Sequence, residues 1–138
     1  MKIYQGKYFS VKLPANWDAE FDAEEGIDVV YNPEGFGEIQ ISAVIHQEQL
    51  TSNDLMHIAE EDLQAGAILQ EMNLGELNGF WFDYVVDAEY WCEWYLCSGR
   101  LMLFATYSCP LKDEAKEFSE VDLIMRTLRP LDHSPNDA

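Results

Sequence analysis

Apolar and polar residues alternate with a period of two along most of this chain, and the breaks in that period predict its elements. Phe9, Val11 and Leu13 alternate with Ser10 and Lys12, which predicts a strand over 8–13 with those three side chains on one face. Pro14 ends it. Ile27, Val29 and Tyr31 define a second strand, closed by Asn32-Pro33 and the glycines at 35 and 37. Ile39, Ile41, Ala43 and Ile45 line one face of a third. The period then becomes helical over Thr51 to Gly66, where Leu55, Ala59 and Leu63, with Ile58 beside them, form an i, i+4, i+8 stripe. Thr51 suits the N-cap, Asp54 completes a variant capping box, and Gly66 suits the left-handed residue after the C-terminus.

A β-meander follows. Ile68 to Leu77 runs to Asn78-Gly79, which has the signature of a two-residue hairpin turn. Phe80 to Val86 comes next, then a bend near Asp87-Ala88-Glu89, and Tyr90 to Cys97 returns. Ser98-Gly99 turns the chain into Leu101 to Ser108. Pro110 leads into a second helix from about Asp113 to Arg129, with Phe118, Val121, Met125 and Leu128 as its apolar stripe. Arg126 and Arg129 suit its negative end, and Pro130 stops it. Strands and helices segregate along the chain. The expected class is therefore α+β, a mostly antiparallel sheet covered by two main helices, as a single domain over 1–131 with a flexible C-terminal tail at 132–138.

Composition adds a polarity that the pattern does not show. The 138 residues are 48% hydrophobic and 13% aromatic, enough for a real core despite a net charge of −18. Residues 13–99 hold no lysine or arginine and 19 of the 26 acidic side chains. A domain so charged repels nucleic acid and anionic membranes and attracts basic partners. The expected partner is a basic protein, with no nucleic acid and no membrane involved. Met1 to Lys7 contains no apolar h-region, and no segment approaches the ~18 apolar residues of a membrane span. Cys92 and Cys97 are five apart on one predicted strand, point to opposite faces, and with Cys109 form no C-x-x-C or zinc spacing. Reduced, buried thiols in a cytoplasmic protein are expected.

Candidate chemistry is sparse. Asp54, His57 and Glu61 share one helix face, the minimum for a metal, but an exposed polar face opposite the apolar stripe has the same pattern. His46 and His133 stand apart, so neither metal nor cofactor is expected. Cys97-Ser98-Gly99 is no nucleophile elbow, and Gly35-Phe36-Gly37 lacks the lysine of a phosphate loop. No catalytic residue and no enzymatic activity are expected. Residues 80–95 hold eight aromatics, and their odd positions include Trp81, Asp83, Asp87, Glu89, Trp91 and Glu93. If the bend keeps parity, the four acids share a face with two tryptophans; a two-residue turn would flip one strand and split the set. A face of that kind either packs under a helix with acids at the rim or binds Lys and Arg by charge and cation–π contacts. A second acidic cluster contains Asp18, Glu20, Asp22, Glu24, Glu25 and Asp28. Its alternation at 18, 20 and 22 predicts an exposed edge strand whose charge blocks aggregation or meets a basic partner. It lacks the residue order of a calcium loop.

Particular segments resemble the PsbP-like fold, which includes the Ran-binding import factor Mog. Phe9 to Trp17 looks like its opening strand and "Pro, two residues, Trp" turn, carried here by Pro14 and Trp17. Gly99-Arg100 through Cys109-Pro110 looks like its last strand, and Phe118 to Leu128, closing on Arg129-Pro130, is similar to its terminal helix. The resemblance implies an αβα sandwich that serves as a scaffold for binding proteins, as in a photosystem subunit and the EagR-type chaperones of bacterial type VI effectors. The expected function is a non-catalytic, acidic module that engages a basic protein, as an immunity protein or effector chaperone does. Asp83, Asp87, Glu89, Trp91, Glu93, Asp18, Glu20 and Asp22 are its candidate contacts. The alternative is a small-ligand or metal-binding protein, or a weak hydrolase, with a pocket walled by Trp81, Trp91 and Trp94.

Overall fold

Alternation along the strands resolves into two antiparallel sheets in the computed structural model, which describes residues 1–63 and 66–131. The elements are β1 (Lys2–Gln5), β2 (Phe9–Leu13), β3 (Asp18–Asp22), β4 (Ile27–Tyr31), β5 (Glu38–Ile45), α1 (Ser52–Ala59), β6 (Gln70–Asn73), β7 (Asn78–Val86), β8 (Glu89–Ser98), β9 (Leu101–Pro110), α2 (Glu114–Met125) and β10 (Arg129–Pro130). Seven strands form one sheet in the order β3-β4-β5-β9-β8-β7-β6, and β1-β2-β10 form the other. The fold is α+β, as expected. The tail at 132–138 and His133 lie outside the described residues.

The interior strand β8, next to the central β9, is buried on both faces from Cys92 to Leu96, so it reads as a near-continuous apolar run. On one face Cys92, Trp94 and Leu96 join Ile39, Ile41, Leu103 and Tyr107 against Phe9, Val11 and Leu13 of β2 and Val121, Ile124 and Met125 of α2. On the other, Phe80, Phe82, Tyr95 and Met102 meet Leu55 and Ala59 of α1. Trp17, at the end of the Pro14 turn, is wholly buried, and its indole nitrogen donates to Glu120 at 2.6 Å.

Several local expectations change. The strand β4 forms, but Asp28 and Val30 face the core while Ile27, Val29 and Tyr31 lie half-buried on the opposite face. Its register with β5 dictates this, pairing Val30 with Ile39 and Asp28 with Ile41. The Tyr4 hydroxyl donates to Asp28, which lets a carboxylate sit inside. The hairpin after β6 turns at Leu74 to Leu77, with Gly75 at φ 89°, and Asn78-Gly79 belongs to β7. Gly79 is needed there for another reason: a Cβ would collide with the carbonyl of Tyr95. α1 carries the full Thr51–Asp54 capping box but ends at Ala59, well before Gly66, and leaves Ile58 exposed. α2 ends at Met125 rather than near Arg129, and Arg129-Pro130 pairs with β2.

One buried acid ties the halves of the fold together. Glu117 of α2 is 3% exposed and accepts from the Phe36 amide at 3.1 Å, the Gly37 amide at 3.0 Å and the Tyr107 hydroxyl at 2.7 Å. It anchors the turn before β5 onto α2 and β9. Replacing it leaves three donors without an acceptor, each costing about 1–3 kcal/mol where water cannot reach. Glu117→Ala should therefore lower stability by roughly 3 kcal/mol or more in urea unfolding, and Tyr107→Phe by about 1. A loss within experimental error for Glu117→Ala would show that this anchor is dispensable.

Candidate interaction surface

The turn between β7 and β8 decides which side chains meet. Asp87 and Ala88 have φ of 50° and 64°, a two-residue turn with both central residues left-handed, so Val86 pairs directly with Glu89. Parity is not kept. Asp83 lies opposite Cys92 and Glu93 opposite Phe82, so these two acids face opposite sides of the sheet. Asp83 is exposed on the α2 side and accepts from the Tyr90 hydroxyl at 2.7 Å. Asp87 sits exposed in the turn itself. The two-residue turn therefore splits Asp83, Asp87, Glu89 and Glu93, which a bend that kept parity would have put on one face.

Glu89, Trp91 and Glu93 stay together, and they share their face with Asp18, Glu20 and Asp22, which sequence placed in a separate cluster. Cross-strand register shows how. One row runs Asp18, Tyr31, Glu38, Ser108, Trp91, Tyr84 across six strands. The next runs Glu20, Val29, Gln40, Thr106, Glu93, Phe82. α1 packs over the β7–β9 half of this face, while Glu20, Glu38, Gln40 and Val44 on the β3–β5 half are exposed. There the half-buried row Ile27, Val29, Tyr31 runs between the acids of β3 and Glu38 and Gln40 of β5. An open groove of about 770 Å³ lies here, reaching Glu24 and Glu25 at the β3–β4 turn.

Not one of the seven strands of this sheet carries lysine, arginine or histidine. The cations lie on the small sheet, on α2 and beside them, with Arg100 at the β8–β9 turn. The charge polarity along the sequence is thus a polarity in space. Within the face, Glu93 departs from its expected role as an exposed contact. It is 5% exposed, and its two oxygens accept from the hydroxyls of Tyr84 and Tyr95. Burial, and then the adjacent Glu93 acceptor, push the Tyr84 hydroxyl above the usual phenol value; burial likewise raises that of Tyr95. Trp91 is half-buried, stacked on Tyr84 with centroids 6.4 Å apart. Trp81 and Trp94 instead stack on one another, 6.1 Å apart, with Trp81 also against Phe118 of α2.

All three cysteines are free. Burial pushes the Cys92 thiol up to about 12, and raises those of Cys97 and Cys109 too. Because α1 ends at Ala59, Glu61 leaves the face of Asp54 and His57, and the exposed His57 lies 3.5 Å from Glu60. Among the described residues no three His, Cys, Asp or Glu side chains converge to hold a metal, and no helix is long and apolar enough to cross a membrane. Glu38 and Gln40 were not singled out from sequence, although their alternation with Ile39 and Ile41 marks them as outward-facing.

Two outcomes follow from the burial of these groups. Glu93→Lys places an ammonium beneath α1 and takes the carboxylate from the Tyr84 hydroxyl, while Tyr95 keeps Asp62 at 2.8 Å as its acceptor, so the melting midpoint should fall, by the equivalent of about 1–3 kcal/mol. Glu93→Gln, which keeps an acceptor, should lose far less. Alkali should also destabilise the protein. Below about pH 8 both states hold the thiol and phenol protons; above it the unfolded chain releases them near ordinary values of about 8.5 and 10, while the folded chain holds them. Stability is therefore lost as pH rises from about 8.5, and a midpoint flat to pH 11 would contradict this.

No family model matches the sequence, and no curated protein matches it. A crystal structure of a protein from Bacteroides thetaiotaomicron is similar over 91% of this chain, with a TM-score of 0.60 and 21% identity. This chain spans 46% of the length of that structure. The solution structure of cyanobacterial PsbP (CyanoP) from Synechocystis is similar over 94% of this chain and 92% of its own, with a TM-score of 0.49 and 10% identity. At such identities the likeness concerns fold alone.

Proposed function

We propose that this chain is a non-catalytic binding module that engages a basic protein through the open half of its large sheet. One observation carries this reading. The apolar row Ile27, Val29, Tyr31 is left uncovered and is flanked by Asp18, Glu20, Asp22 and Glu38, on a sheet whose strands hold no cation. The floor supplies apolar area, the acids supply selectivity for Lys and Arg, and the half-buried Trp91, further along the Asp18 row on β8, offers a ring face for a cation. Association would be fast and salt-sensitive, because the field of an acidic sheet steers cationic partners. Two roles fit this chemistry: neutralising a cationic toxin as an immunity protein, or chaperoning a secreted effector in the bacterial cytoplasm.

The test begins by identifying a partner among the products of neighbouring genes, by pulldown at low and high salt, and then titrates it directly. The double variant Glu20→Lys, Glu38→Lys changes two exposed residues and should keep the melting midpoint while weakening binding at least tenfold. Glu71→Lys with Glu76→Lys, at the far edge of the sheet, should change it little. Equal affinity for both variants, or a partner whose contact surface is acidic, would overturn the proposal.

A further inference from the structure

The edge of the large sheet narrows the kind of partner segment this surface would take. β3 is the terminal strand, and among the described residues no strand pairs with its outer side. An antiparallel edge strand leaves the amide and carbonyl of every second residue pointing outward without a strand partner. The side chains of β3 alternate strictly. Asp18, Glu20 and Asp22 stand on the open face, and Ala19 and Phe21 on the other. Phe21 is 60% exposed, a large aromatic at a sheet edge that the core does not use.

The acids differ in what already occupies them. Asp18 forms a half-exposed pair with Lys2 at 3.2 Å. Asp22 turns one oxygen to the amides of Glu24 and Glu25, at 3.0 and 3.2 Å, within its own hairpin. Glu20 lies between them, exposed. A second copy of this strand would set acid against acid about 5 Å apart, so the edge disfavours pairing with itself. A strand with Lys or Arg at alternate positions would meet an acid at each cation, and its intervening apolar residues would fall on the side of Phe21.

We infer that β3 is the docking edge, and that it accepts from the basic partner an extended segment with alternating cationic and apolar residues, added as an eighth strand. This rests on the proposed binding of a basic protein and states which element receives it. The edge amides and carbonyls bind the segment's backbone, the acids select its charge, and Phe21 selects its register.

The probe is a capped peptide, Thr-Lys-Val-Lys-Val-Lys-Thr, titrated at low salt against the intact chain by calorimetry and by amide chemical shifts. Its comparators are a peptide of the same composition with contiguous lysines and two peptides N-methylated on complementary alternate residues. The alternating peptide should bind at least tenfold more tightly than the contiguous one, with shifts centred on residues 18–22. One N-methylated peptide should bind and the other should not, and Phe21→Ala should weaken binding several-fold while leaving its salt dependence intact. Equal binding of alternating and contiguous peptides, equal binding of both N-methylated forms, or shifts confined to Ile27, Val29 and Tyr31 would overturn the docking edge. So would concentration-dependent self-association that Glu20→Lys abolishes. If the edge fails while the Glu20→Lys, Glu38→Lys variant still loses the full-length partner, only this inference falls.

Discussion

The two-residue turn at Asp87-Ala88 is the constraint on which the arrangement of both sheet faces depends. Two non-glycine residues with positive φ cost on the order of 1 kcal/mol each, aspartate less than most because its short side chain tolerates that region. That cost ties Val86 to Glu89 and sets the register of β7 on β8 as far as Asn78 and Cys97. From it follow the stacking of Trp81 on Trp94 toward α2 and of Phe80 and Phe82 on Tyr95 toward α1. A slip of one residue would carry Glu93 into the core against α2 and Trp94 out of it.

A sheet without cations must satisfy its inward-leaning acids by other means, and this one uses phenols. Tyr4 donates to Asp28, Tyr84 and Tyr95 to Glu93, Tyr90 to Asp83, and Tyr107 to Glu117 on α2. A hydroxyl donor leaves the carboxylate's charge in place but meets its need for hydrogen bonds, and its ring packs as part of the core. Besides the pair of Lys2 with Asp18 at the sheet edge, salt bridges occur at the other layer, between Lys116 and Asp113 and between Arg126 and Asp122 at the two ends of α2. The tyrosines therefore explain how a sheet of this charge holds together. They also explain why its outward acids are not neutralised from within.

Sequence showed the class of the fold because the alternation of β2, β5 and β9 and the helical stripes are long enough to be read locally. Phe9, Val11 and Leu13, and likewise Ile39 and Ile41, bury where the pattern put them. What it missed depends on partners distant in sequence. The row Ile27, Val29, Tyr31 looks like a core face until β5 pairs with β4 and Tyr4 arrives at Asp28. β1, with Ile3 67% exposed, carries no periodic signal of its own and exists through β2. The site was legible in its parts and not in its assembly. The acids of β3 and the Trp91 strand were both noticed, but the turn geometry that separates Asp83 from Glu93, and the sheet order that brings Asp18 into line with Trp91, are properties of the whole sheet.

The asymmetry of cover completes the physical picture. α1 is eight residues long and shields one half of its face, while the small sheet and α2 cover the centre of the opposite side and leave Phe21 and Asp83 exposed at its margins. A longer helix continuing to Gly66 would have widened that shield, but the stripe stops at Ala59 and Leu63 packs only past the helix end. On the uncovered half the acids are met by donors at the surface: Lys2 at Asp18, the turn amides of residues 24 and 25 at Asp22, and the Gln40 side chain at Glu38. Apolar rows left open at a sheet edge invite self-association, and like charge along β3 opposes it. The same charge admits a cationic strand, so protection of the monomer and selection of a basic partner arise from one row of side chains.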